Sequence, residues 1–289
     1  MAKTFKTAAA FRQALEQRLK TAAEERGVPL NTLRLKLTIE RLLARLFARP
    51  DPPWLLKGGY AMELRYRPNA RTTKDIDLSI PLALDSATQA KRIEHVRDQL
   101  QAAADISQGD YFQFLIAAPR TELQGAPQGG ARFPVEARLA GRLFARLHLD
   151  VGMGDAVCGS PESLTGDDLL AFAGVPPARA LAIPKAQQFA EKLHAYTFPW
   201  TDRTNTRTRD LVDLLLMLER AAPEEGKVRD AIEATFKTRS THPIPVTLPP
   251  PPDSWTHEFA AMADEVRLTT RTLDEAFGQL ARYWKALEL

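Results

Sequence analysis

Asp75 and Asp77 stand two residues apart in the run Asp75-Ile76-Asp77-Leu78-Ser79-Ile80. Apolar Ile76, Leu78 and Ile80 alternate with the two acids, which is the pattern of a strand. Residues two apart on a strand point to the same face, so both carboxylates project together. Like charges held side by side repel, and a bound cation relieves the repulsion. Ligands that offer only oxygen suit Mg²⁺ or Mn²⁺. Asp150 is the candidate for a third carboxylate. It closes the alternating run Leu147-His148-Leu149-Asp150-Val151. If that strand lies beside the first, three carboxylates converge, as in-line transfer with two metal ions requires. Asp150 would then also be placed to draw the proton from an attacking hydroxyl. Upstream, Lys57-Gly58-Gly59 separates a short apolar strand, Trp54-Leu55-Leu56, from a helix read from Tyr60 to Tyr66. Glycines at such a turn let backbone N–H groups approach a phosphate at the helix start. The Gly-x-x-x-x-Gly-Lys-Ser/Thr pattern of a P-loop is absent. The chemistry implied is phosphoryl or nucleotidyl transfer at a divalent metal.

The elements that must position these residues can be read along the chain. Helical periodicity covers about 7–25 and 31–48, the second with a dense leucine stripe and Asn31-Thr32 as its cap. Residues 86–104 form a polar helix capped by Asp85 or Ser86, and 111–117 a strand. The stretch 124–130 is a loop rich in Gly, Pro and Gln. Residues 132–138 and 142–151 alternate around Gly141 and read as a hairpin. After about residue 160 the pattern turns helical: 184–196 with Pro184 at its start, 207–222, 226–240 and 255–288. The proline-rich stretch 243–252 reads as an extended connector. The expectation is an α/β (α+β) fold, a mixed or antiparallel sheet flanked by helices, with residues 1–160 as the α/β unit and 161–289 as a helical unit.

A chain of 289 residues with 44% hydrophobic content has ample material for a core. Its 39 basic and 36 acidic residues leave a formal net charge of +3. So small an excess puts the weight on how charge is distributed. Arg65, Arg67 and Arg71 form one cluster, and Arg203, Arg207 and Arg209 another. Arginine suits the fork geometry of phosphates. A single cysteine, Cys158, rules out an intramolecular disulfide and a Cys-rich zinc site. With no signal-like N-terminus and no apolar run of membrane-spanning length, the expectation is a cytoplasmic protein without a membrane partner.

Lys57-Gly58-Gly59 followed by Arg71-Thr72-Thr73-Lys74-Asp75-Ile76-Asp77 closely resembles the signature of the AbiEii/AbiGii nucleotidyltransferase toxins, of the polymerase-beta-like nucleotidyltransferase superfamily. Two downstream segments agree. Gln188-Phe189-Ala190-Glu191-Lys192-Leu193-His194 resembles the family's lysine-bearing helix, and Arg209-Asp210-Leu211-Val212-Asp213-Leu214 its Asp-x-x-Asp helix. The resemblance spans roughly residues 54–220 and is nearest to the mycobacterial MenT-type branch, whose members modify tRNA. It implies that Asp75 and Asp77 bind the metal, that Lys57, Gly58, Gly59, Arg71, Thr72 and Thr73 face the nucleotide, and that Lys192 neutralises the triphosphate. Asp213, with Asp210 as its partner, would orient Lys192 or hold the nucleotide or acceptor. Thr72 or Thr73 stands where relatives carry a modifiable hydroxyl, and phosphate there would add charge beside the metal.

The function so implied is an Mg²⁺-dependent (or Mn²⁺-dependent) nucleotidyltransferase that uses a nucleoside triphosphate. It would act as the toxin of a toxin–antitoxin pair, adding nucleotides to the tRNA 3′ end and so blocking translation, with an antitoxin as partner. Arg65, Arg67, Arg203 and Arg207 are candidates for gripping RNA phosphates. The rival readings are transfer to a small molecule or a protein, and a non-catalytic protein that keeps the fold to dock a partner.

Overall fold

A computed structural model describes residues 5–81, 88–119, 121–123, 125–201 and 204–289. Helix α1 (Ala8–Arg26) starts where the Thr7 hydroxyl accepts the Ala10 N–H. Helix α2 (Leu30–Leu46) buries Leu33, Leu37, Ile39, Leu42, Leu43 and Leu46, the stripe expected from its periodicity. Its cap differs from expectation. Pro29, with φ already near the helical value, occupies the N-cap, and Asn31 instead accepts a bond from Arg34.

Strand β1 (Leu55–Lys57) leads directly into α3 (Gly58–Tyr66), and β2 (Asp75–Ile80) carries the Asp pair. Helix α4 (Gln89–Ala104) begins with the Thr88 hydroxyl accepting from Lys91 N–H, while the caps expected at Asp85 or Ser86 lie outside the described residues. Then come β3 (Phe112–Ile116), β4 (Thr121–Leu123), β5 (Gly130–Leu139) and β6 (Arg142–Met153). The β5–β6 pair is the expected hairpin, turning at Ala140 and Gly141, both at positive φ.

Two more strands, β7 (Glu162–Thr165) and β8 (Arg179–Ala182), follow where the sequence suggested only helices. Each has four residues, too few for a period-2 pattern to stand out. The described strands form one mixed sheet in the order β3-β5-β6-β2-β1-β8-β7, with β4 beside β5. β2 runs parallel to β6 and β1 parallel to β8; the remaining pairs are antiparallel.

The helical part comprises α5 (Lys185–Tyr196), α6 (Thr208–Ala221), α7 (Glu225–Arg239), α8 (Thr256–Glu265) and α9 (Leu273–Ala286). The helical stretch expected over 255–288 holds two helices, divided by a turn at Arg267 (φ 53) and a new cap at Thr272. The proline-rich stretch is a strap packed on these helices. Leu248 is buried among them, and Tyr196 donates to the Pro249 carbonyl at 2.8 Å. Among the described residues no helix is long and apolar enough to cross a membrane.

Buried apolar side chains form two clusters. One joins the sheet to α1, α2 and α4 and extends to Ala182; the other takes residues from Ala186 onward, together with Met62 and Tyr66, and holds the C-terminal helices together. Apolar packing changes partner between Ala182 and Ala186. Helix α3 serves both, giving Tyr60, Ala61 and Leu64 to the first cluster and Met62 and Tyr66 to the second. The N-terminus of that shared helix is the Gly58-Gly59 turn.

Candidate active site

Register places four charged residues in one row across four strands. Lys57 pairs with Asp77, Asp77 with Asp150, and Asp150 with Arg132. Asp75 is two residues from Asp77 on the same face and pairs with His148, whose Nδ1 lies 3.8 Å from the Asp75 carboxylate. Asp75 is 42% exposed, whereas burial pushes the Asp77 carboxyl up to about 6. The nearby Asp150 and Asp75 charges add to that rise, and Lys57 and Lys192 oppose it.

The donor set fits a divalent ion: oxygen ligands only, two on one face, and a concentration of negative charge that burial makes costly. Asp75 and Asp77 are the residues that would hold it. Asp150 stands beside them as expected, but Arg132 occupies both of its oxygens at 2.7 Å each. Among the described residues no three His, Cys, Asp or Glu side chains are set as they stand to hold one ion. Asp155, just beyond β6, is buried away from the row: Lys57 donates to it at 2.6 Å and Arg239 at 3.0 Å. Burial alone would raise its carboxyl, yet the two cations hold it below the usual range.

The glycines are held closely by their neighbours. Gly58 sits at φ 64, and a Cβ there would overlap the Asp77 carboxylate. A Cβ on Gly59 would press on the Thr73 hydroxyl at 2.9 Å and on Arg71 at 3.2 Å. The first turn of α3 has no side-chain cap, which leaves N–H donors and the positive end of the helix dipole beside the carboxylates. Gln188 on α5 fixes this turn by donating to the Gly58 carbonyl at 2.8 Å. The Lys57 ammonium bonds Asp155 and, at 3.2 Å, Glu191.

The helical part contributes a second charged group. Lys192 on α5 donates to Asp213 on α6 at 2.6 Å and to Asp210 at 3.3 Å. Arg71 reaches Asp213 from the other side at 3.1 Å. Burial would lower the Lys192 ammonium, but Asp213 and Asp210 outweigh it and hold the pKa above its ordinary value. For Asp213, burial acts upward and Lys192 with Arg71 outweigh it downward. Both groups are therefore charged, and Arg71 ties the loop before β2 to this pair.

Thr72 is exposed, while Thr73 is half-buried with its N–H donating to Glu63. Of the proposed RNA-facing arginines, Arg65 is buried and committed to Glu162, Gln188 and the Ile183 carbonyl. Arg67 is held by Asp167 and the Thr165 carbonyl. Both arginines close the joint between α3 and the β7 region. Arg207 is 43% exposed, near Asp210 and over the Trp200 ring. Arg203 lies outside the described residues. Sequence reasoning missed Arg132 and Arg239, which carry no local motif, and gave Gln188 and Glu191 no role of their own within the segment around Lys192.

This sheet, with paired carboxylates facing an uncapped helix start and a buried lysine behind, is the arrangement of a nucleotidyltransferase. The chain belongs to the family described as nucleotidyl transferase AbiEii toxin, type IV toxin–antitoxin system, which matches residues 41–283. Among solved structures it is similar to MenT4, a nucleotidyltransferase toxin from Mycobacterium tuberculosis H37Rv, with a TM-score of 0.61 at 18% identity over 96% of this chain and 89% of that one. A putative nucleotidyltransferase from H. pylori aligns with a TM-score of 0.44 at 16% identity, over 89% of this chain and 93% of that one. No curated protein matches in sequence.

Proposed function

We propose that this toxin is an Mg²⁺-dependent nucleotidyltransferase that transfers nucleotides from a nucleoside triphosphate to the 3′ end of tRNA. The observation that carries the transfer chemistry is the shared face of Asp75 and Asp77 beside the uncapped first turn of α3. A bound divalent ion would supply charge neutralisation at the phosphates. The α3 N–H groups bind phosphate oxygens, and Lys192, kept charged by Asp213, faces charge that builds toward the leaving pyrophosphate. Arg71 holds Asp213 in place from the nucleotide side. The acceptor hydroxyl attacks the α-phosphorus, pyrophosphate leaves, and the hydroxyl's proton passes toward the carboxylates of Asp75 and Asp77.

RNA as the acceptor is supported by membership of this toxin family and by exposed Arg207 near Asp210. A type IV toxin of this kind works against a cognate antitoxin, and a small partner encoded nearby is expected. The test is incubation of the purified chain with labelled nucleotides, Mg²⁺ and total RNA. Label on tRNA that Asp75→Ala abolishes supports the reading. Label on a protein or small molecule moves the acceptor to those classes, and no transfer at all, with Asp75→Ala as toxic as wild type, sinks it.

A further inference from the structure

The row across β1, β2, β6 and β5 has a cation at each end: Lys57, Asp77, Asp150 and Arg132, in spatial order. The two ends behave differently. Lys57 turns its ammonium to Asp155 and Glu191, so it touches Asp77 only through its field. Arg132 instead grips its neighbour. Its Nε bonds one Asp150 oxygen and its Nη2 the other, both at 2.7 Å. Two parallel charge-assisted bonds are the strongest form of carboxylate pairing. The Arg132 side chain is 41% exposed, whereas that of Asp150 is 13% exposed. A guanidinium stays charged at any working pH, so Asp150 carries a matched charge before any ion arrives.

A divalent ion held by three carboxylates needs Asp150 with its lone pairs and charge free. A bidentate guanidinium removes much of both, and it is tethered to the strand, so it is never diluted away. We propose that Arg132 is the resident cation of this centre. It takes the place at Asp150 that a second divalent ion would fill, so that the centre holds one ion, at Asp75 and Asp77. Asp150 is then a positioning residue that fixes a fixed charge beside the metal pair and the proton path. This inference rests on the metal-dependent reading above and narrows it: the two-ion arrangement suggested by three converging carboxylates becomes one ion and one arginine.

The test counts ions directly and does not depend on turnover. The full chain is titrated with Mn²⁺ in the presence of non-hydrolysable α,β-methylene analogues of the ribonucleoside triphosphates, with free Mn²⁺ followed by electron paramagnetic resonance. The wild type is expected to bind one Mn²⁺ per protein-bound nucleotide. Arg132→Gln is expected to bind two, and Arg132→Gln combined with Asp150→Asn to return to one. The exposed position of Arg132 leaves the fold in place, which a thermal melt of each variant checks. Two ions on the wild type overturn the inference and leave metal dependence standing. One ion on Arg132→Gln overturns it as well, because Arg132 would then exclude nothing. No ion on the wild type removes the metal-dependent reading itself.

Discussion

Lys192 and Asp213 meet at 2.6 Å between α5 and α6, with both side chains almost wholly buried. A buried pair of this kind contributes little net stability, yet losing one partner costs about 3–5 kcal/mol because the other charge stays buried alone. Lys192→Ala should therefore abolish nucleotide transfer and also lower stability, although Arg71 remains to shield Asp213 and reduces the loss. Lys192→Met with Asp213→Leu removes both charges and should recover most of the stability without recovering transfer. Urea unfolding beside a nucleotide-incorporation assay separates the two effects. A Lys192→Ala protein of wild-type stability would contradict the pairing.

Asp75 offers the opposite case. It is 42% exposed and, among the described residues, its ion-pair neighbour is His148, also half exposed, at 3.8 Å. Exposed pairs of this type contribute about 0–1 kcal/mol. Asp75→Ala is expected to keep the wild-type melting temperature and lose transfer by orders of magnitude. A large stability loss would mean that Asp75 is part of the framework rather than a free ligand.

Gly58 joins backbone conformation to the carboxylates. Its φ of 64 is the left-handed region, and the Cβ that any other residue brings would overlap Asp77. Gly58→Ala must strain the backbone, at about 1–3 kcal/mol, and displace Asp77 as well. The expected result is a folded, less stable protein with transfer lost. Gly27→Ala, also at positive φ but with open space around its Cβ, is the control: it should cost stability and keep transfer.

The legible part of this site lies where the pattern is local. The alternation from Asp75 to Ile80 marks β2, and the acids two apart on it share a face. The hairpin about Gly141 carries Asp150 to a strand beside β2, with Asp77 and Asp150 in register. Arg132 was not legible for a reason that can be named. Counted outward from the Ala140-Gly141 turn, Arg132 would face Leu149. An irregularity between Ala137 and Arg138 shifts the register by one residue and brings it opposite Asp150. The commitment of Lys57 to Asp155 and Glu191, and of Arg65 to β7 and α5, depends on contacts far apart in the chain. Lys192 and Asp213 lie on helices whose amphipathic pattern accounts for them equally well as surface residues. Family resemblance, not periodicity, brought them to the site, and the packing of α5 on α6 places their charges together.

Thr72 is exposed in the loop between Arg71 and the Asp pair. A phosphate there would set about two negative charges beside Asp75 and Asp77 and near Arg71, which would have to serve both it and Asp213. Thr72→Glu is expected to lower transfer, whereas Thr72→Ala leaves it close to wild type. Thr73, half-buried against Gly59, should respond differently: Thr73→Glu has no room and should lower stability as well. Equal transfer by Thr72→Glu and wild type would end the idea of a charge-sensitive position there.

Glu40 gives a pH signature away from the carboxylate row. It is buried, and burial raises its carboxyl from the ordinary value to about 7, against the opposing pull of Lys36, Tyr60, Arg67 and Arg41. Tyr60 and the Asp167 N–H both donate to it. An acid whose folded pKa is raised binds more protons folded than unfolded between the two values. Stability from this group is therefore greatest below about 4.5 and falls as pH rises to about 7. A gap of this size corresponds to roughly 3 kcal/mol across the window. Glu40→Gln keeps an oxygen to accept both bonds and has no charge to bury. The variant should match the wild type near pH 4.5 and exceed it in stability above about 7, so the difference between their unfolding free energies grows with pH. Urea titrations of both proteins at several pH values measure that difference, and parallel curves would show that Glu40 folds as readily charged as neutral.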